Sequence, residues 1–240
     1  MKKTLFVLCT ALCFPFFSCS NDDATDDELL TRGEIIESQY QETLQYYVGL
    51  LEANGFKSEN KYESRALMTA EDEHWEAVSV TAEKYVDGKK VEGDWNGLLE
   101  DNTIANPMLD YYQIKIFSDK SFIITHKDWE FKDTYKTHWS YFHNMLLTIA
   151  YAWTLEEWTN FYQRNYSWLF NNKDYAFHWN YYPTDFYEVV EASSDRLVLK
   201  VQTFVNPPVD GGLSKLSDAY WFNQKGTYYF CLLEYRKVKD

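Results

Sequence analysis

The strongest constraint on this chain is a change of hydrophobic period close to Trp75. Before it, Ile36, Tyr40, Leu44, Tyr47, Val48 and Leu51 recur at intervals of three and four, the spacing of one helical face. Thr31-Arg32-Gly33-Glu34 fits a capping box, in which the Thr31 hydroxyl and the Glu34 carboxylate satisfy amides that the first turn leaves unpaired. Asn54-Gly55 supplies a left-handed stop. A helix over 32–55 is expected, and its apolar stripe must bury against something, most simply the domain that follows. The polar stretch 56–73 reads as a connection.

From Trp75 the period becomes two. Val78 and Val80 alternate with Ser79 and Thr81, and Asp87-Gly88 is a hairpin signal. Tyr111 to Phe117 reads as a strand, turned by Ser118-Asp119-Lys120 into a second over Ser121 to Phe131. Ile123, Thr125, Trp129 and Phe131 are expected on one face of that strand. Tyr175, Phe177, Trp179 and Tyr181 alternate in the same way. Phe186 to Ala192 and Leu197 to Phe204 flank the turn Ser193-Ser194-Asp195-Arg196, and Thr227 to Val238 closes the series. One segment breaks the pattern. Thr154-Leu155-Glu156-Glu157 is a second capping box, and Leu155, Trp158, Phe161, Tyr162, Tyr166 and Leu169 follow a helical stripe, so 155–170 is expected to be helical, inside an insertion over 140–172. The aromatic content of that segment leaves strand as the alternative. No glycine occurs between Gly97 and Gly211, so hairpins there must turn on Asn, Asp or Ser.

The N-terminus carries a different signal. Lys2 and Lys3 precede an apolar run from Thr4 to Phe17 that contains Pro15. The run is shorter than the ~20 residues a spanning helix needs and reads as a signal-peptide core over 1–18. Ser18-Cys19 at its end resembles the bacterial lipobox, whose Cys carries acyl chains, although Phe16 stands where that pattern usually has a smaller aliphatic residue. Lipid attachment at Cys19 and a tether to the membrane are what the resemblance implies. The acidic stretch Ser20 to Glu28 is too charged to collapse and forms the core of an expected flexible tether over 19–31. It resembles the export signal of surface lipoproteins of the Bacteroidota. The expected location is the outer membrane, facing the periplasm or the cell surface.

Of four cysteines, Cys9 and Cys13 lie in the signal segment and Cys19 is the acylation site, which leaves Cys231 without a disulfide partner. Its apolar setting, Tyr228 to Leu233, points to a buried thiol. Stability must then come from the core. Aromatics make up 19% of the chain, and all nine Trp lie between Trp75 and Trp221. Loss of Lys2 and Lys3 takes the formal charge from −14 to −16, which disfavours nucleic acid as a partner.

Trp75 opening a strand, the pair Tyr187 to Val201 and the closing run Tyr228 to Val238 resemble the lipocalin-like lipoproteins of the Bacteroidota. Such proteins begin the barrel with a Trp and end it on an aromatic and a basic residue, here Tyr235 and Arg236. The resemblance implies a mainly β fold with helices: an antiparallel lipocalin-like barrel or half-barrel over 75–238, preceded by the N-terminal helix. It also implies an interior able to hold an apolar ligand.

Chemistry-bearing motifs are sparse. His126 and Asp128 fall on one strand face, and His138 and His143 suit no regular helical pair. The sequence has no HExxH spacing, nucleophile elbow or glycine-rich phosphate loop, so no catalytic residue, metal site or cofactor is assigned. The aromatics remain. Trp129, Phe131, Trp179 and Tyr181 are the candidate ligand-binding residues, since such faces stack on sugars and line apolar pockets. The alternative for them is core packing. A non-catalytic binder of a small apolar or glycan-like ligand leads. A structural or assembly partner in an envelope complex is second, and a hydrolase third.

Overall fold

A computed structural model describes residues 30–56, 69, 72–125, 135–151, 153–165, 184–203, 205 and 225–240. The folded unit runs from Thr31 to Asp240; Met1–Leu30 separates from it, and only Leu30 of that unit is described. The elements in order are α1 (Arg32–Ala53), β1 (Glu73–Val86), β2 (Lys89–Val91), α2 (Gly97–Glu100), α3 (Pro107–Asp110), β3 (Gln113–Ile116), β4 (Ser121–Thr125), β5 (Tyr135–Phe142), β6 (Met145–Ile149), α4 (Leu155–Asn165), β7 (Thr184–Ala192), β8 (Arg196–Thr203) and β9 (Thr227–Lys239).

The strands form an antiparallel meander that closes on itself. β3 to β9 pair in sequence, β3 pairs with β1, and β9 returns to pair along nearly the whole of β1. Eight strands therefore make a lipocalin-like barrel, with β2 a short flap on β1. Closure removes the unpaired sheet edges that an open sheet this size exposes. Two breaks in register, between Ala77 and Ser79 and between Val189 and Glu191, mark bulges that bend the wall.

Because successive strands run in opposite directions, their connections sort to two ends. At one end, the floor, tight turns join β3 to β4, β5 to β6 and β7 to β8. The turn His143-Asn144 has both residues at positive φ, 53° and 61°, as does Asp87-Gly88 at 46° and 80°. That geometry matches the twist of paired strands. The first turn manages without glycine, as the glycine-free stretch requires. At the other end, the mouth, β4, β6 and β8 end and β5, β7 and β9 begin.

Inward and outward faces follow the period of two. Trp75, Ile114, Ile116, Phe122, Ile124, Trp139, Tyr141, Leu146, Tyr187, Leu199, Leu233 and Tyr235 form one interior cluster. The stretch from α2 to α3 adds Leu99 and Ile104 to it. That stretch also satisfies the free edge of β1: Ala77 N donates to Tyr112 O at 2.9 Å, and Ala82 N to Asn96 Oδ1 at 2.9 Å.

α1 carries the expected capping box at Thr31 and Glu34. It lies outside the barrel, where Tyr47 and Leu51 pack on Met145, Leu147, Phe186, Tyr228 and Phe230, and Tyr40 packs with Ile149 and Trp158. β6 is therefore buried on both faces, which explains its unbroken apolar sequence. α4 begins at the Thr154–Glu157 capping box and is tied to α1 by Gln39, whose side-chain oxygen accepts from Leu155 N at 2.8 Å. Residues 166–170 of the expected helix lie outside the described residues.

One expectation changes. The insertion does not begin at 140: β5 and β6 occupy 135–149 as barrel staves, hidden because β6 lacks alternation. Ile123 and Thr125 share a face of β4, as expected, and it is the outward one, since Phe122 and Ile124 take the interior. Near the end of β9, Lys237 Nζ sits 4.7 Å from the Trp75 ring centroid, and Arg236 faces solvent beside Glu234.

Candidate functional site

The floor half of the interior is a finished core. Trp139 Nε1 donates to Phe117 O at 2.9 Å, Tyr141 OH to Asn144 Oδ1 at 2.8 Å, and Tyr235 OH to Tyr111 O at 2.9 Å. Each aromatic buries its ring and hands its polar atom to backbone or a turn residue, the arrangement that makes a buried Tyr or Trp affordable. The Cys231 thiol, buried between Ala82 and Val201 in the register, is pushed up to about 12 by burial first and by the Glu83 charge second. It is a packing group, as its sequence setting suggested.

The mouth half differs. Thr137 on β5, Thr148 on β6, and Asp185 and Tyr187 on β7 all take interior positions within three residues of the strand ends that face the mouth. Their placement follows from register: Thr137 stands opposite Phe122, Thr148 opposite Trp139 on one side and Asp185 on the other, and Tyr187 opposite Leu146. The buried hydroxyl of Thr137 makes no hydrogen bond, and those of Thr148 and Tyr187 have no partner beyond each other. A buried polar atom left unpaired costs roughly 1–3 kcal/mol, so one unpaired hydroxyl beside two that meet only each other is a marked concentration of poorly satisfied groups.

Asp185 completes the layer. Burial, with no opposing charge, raises its carboxyl from 3.8 to about 6. Protein surrounds this side chain, yet the residue keeps accessible surface. Burial also pushes the Tyr187 phenol well above its usual range, with the neighbouring Tyr111 and Asp185 adding to the rise and a hydrogen bond with Thr148 opposing it. Aromatic rings complete the surroundings: Tyr111 meets Tyr187 edge-on at 5.6 Å, and Phe122 lies 6.1 Å from it.

A cluster on the outer wall behaves in the opposite way. Burial opposes ionisation of Glu83, but hydrogen bonds from Lys90 and Tyr85 and the Lys200 charge outweigh it and hold the carboxyl below its usual range. Lys200 Nζ also donates to Tyr85 OH at 2.8 Å. Those charges answer one another and leave nothing for a ligand. Gln202, on the same wall, has a buried carboxamide with neither atom bonded, but it stands alone.

Trp129, Phe131, Trp179 and Tyr181 lie outside the described residues, as does Cys19. In sequence, Trp129 and Phe131 follow β4, and Trp179 and Tyr181 precede β7. His138 packs outside the barrel, edge-on to Tyr151 at 3.9 Å, and His143 sits 3.3 Å from Glu52 of α1, so the two do not converge. Sequence reasoning missed Asp185. The signal was present: Asp185 shares strand parity with Tyr187 and Val189, and a charged residue on an apolar face is more informative than another aromatic. No family model matches the chain, and comparison with curated proteins and with solved structures gave no significant match.

Proposed function

We propose that this chain is an extracytoplasmic lipoprotein, anchored through Cys19, whose barrel binds a small apolar or glycan-like ligand without changing it. The observation that carries the reading is the poorly satisfied polar layer of Thr137, Thr148, Asp185 and Tyr187 above a floor of satisfied aromatics. Sites for small molecules are mostly apolar with a few convergent polar groups that fix orientation. The eight-stranded barrel is a frame that accommodates such a site at its mouth.

The direct test is a thermal-shift screen of glycans and amphiphiles on the full chain, followed by Tyr187→Phe. A binder should raise the melting temperature, and removal of the hydroxyl should weaken it by about 0.5–1.5 kcal/mol, the net worth of one hydrogen bond. If no compound shifts melting, the envelope assembly partner becomes the better reading. Anchoring is tested by fatty-acid labelling of cells. Wild type should label and Cys19→Ala should not; equal labelling defeats the anchor.

One observation favours the hydrolase as a second reading. A carboxyl near 6 is suited to general acid–base work. A hydrolytic centre of this kind needs a second carboxylate, a histidine or a nucleophile beside it, and among the described residues the layer supplies only hydroxyls. Turnover of a bound glycan that Asp185→Asn abolishes would establish that reading.

A further inference from the structure

We infer that the ligand enters the mouth amine first: the polar layer is built to receive a protonated amino group, with the apolar remainder of the molecule against the aromatic rings. This inference rests on the ligand-binding reading and specifies its chemistry.

The argument is one of matching. An ammonium has three donors and no acceptor. The layer offers four groups with acceptor oxygens on three adjacent strands: the Asp185 carboxylate and the hydroxyls of Thr137, Thr148 and Tyr187. Thr148 and Asp185 are directly opposed across the β6–β7 pair, which brings a hydroxyl and a carboxylate to one point. A carboxylate or phosphate ligand would meet the charge of Asp185 with its own. A hydrocarbon would offer these groups no partner and bury them further from water. A neutral sugar could donate hydroxyls to the carboxylate but would bring no positive charge to offset it, the costly situation for a buried charge. A cation resolves all of these together.

The aromatic setting acts in the same direction. Tyr187, Tyr111 and Phe122 present ring faces and edges beside the layer, and ring faces attract cations within about 6 Å. The cation of the floor, Lys237, is already engaged with Trp75 and belongs to the closed end.

The experiment compares three ligands of one shape on the full-length protein at pH 8: phenethylamine, 2-phenylethanol and 3-phenylpropionate. Calorimetry should give a dissociation constant for the amine at least tenfold lower than for the alcohol, with the acid weaker again. Asp185→Asn should erase the amine's advantage and leave alcohol binding within twofold. Thr148→Val should weaken the amine several-fold while leaving Asp185 in place, which covers the case in which the first variant fails to fold. Equal binding of amine and alcohol to wild type overturns the inference and leaves ligand binding standing. Binding of none of the three overturns it as well, and the glycan and amphiphile screen then decides the broader reading by itself.

Discussion

The two halves of the barrel interior are built from similar residues and finished differently. Towards the floor, Trp139, Tyr141 and Tyr235 each hand a polar atom to Phe117, Asn144 or Tyr111. Towards the mouth, Thr137, Thr148 and Tyr187 are as deeply buried, and their hydroxyls have no such partner. Folding thus stabilises one half by completing it and leaves the other carrying the free-energy cost of polar atoms taken out of water. Burial alone does not separate a core from a site. The state of the polar atoms within the buried layer does.

The most severe way to test the contrast is to cut into the floor. Trp139→Ala should cost ~3–5 kcal/mol of unfolding free energy in urea, the usual penalty for removing a packed Trp. A loss under 1 kcal/mol would mean that the floor is not the core.

At the mouth the sign should reverse. The folded state raises the Asp185 carboxyl from 3.8 to about 6, so the native protein holds that proton to higher pH than the unfolded chain. Its stabilising contribution is complete below about 4 and is lost as pH rises through about 6. The phenol that senses the Asp185 charge, Tyr187 on the same strand, carries no positive charge to offset it. At about 1.4 kcal/mol per pH unit, full burial would give about 3 kcal/mol, and the residual accessibility of Asp185 reduces this to about 1–3 kcal/mol. Asp185→Asn should therefore be more stable than wild type by that amount at pH 7.5, with the difference vanishing near pH 4. Parallel stability curves for the two proteins across pH 4–8 would break the comparison.

The smallest effect is the most pointed. Tyr235→Phe removes a hydroxyl that donates to Tyr111 O and should cost about 0.5–1.5 kcal/mol. Tyr187→Phe removes a hydroxyl whose one polar contact is Thr148 and should cost less, at most about 0.5 kcal/mol in the absence of ligand. Equal losses in denaturant unfolding would show that the halves do not differ.

Much of the frame was legible in the residues. The stripe from Ile36 to Leu51 and the Thr31–Glu34 box gave α1 nearly to the residue. Period-two alternation gave β1, β3, β7, β8 and β9, and Asp87-Gly88 gave a hairpin. β6 escaped because a stave covered by α1 outside and packed inside has no polar face to alternate.

Local sequence therefore determined which segments are helix, which are strand and where several turns fall, because capping, turn chemistry and hydrophobic period act over a few residues. The tertiary structure alone decided that Thr137, Thr148, Asp185 and Tyr187 form one layer. Threonine, aspartate and tyrosine are ordinary strand residues in isolation. Their meeting depends on the register of three staves, on which face of each turns inward, and on which end of the barrel those strand ends reach. Each of those quantities is fixed only when the sheet closes, since a one-residue slip in any stave would turn its polar group out to the opposite face.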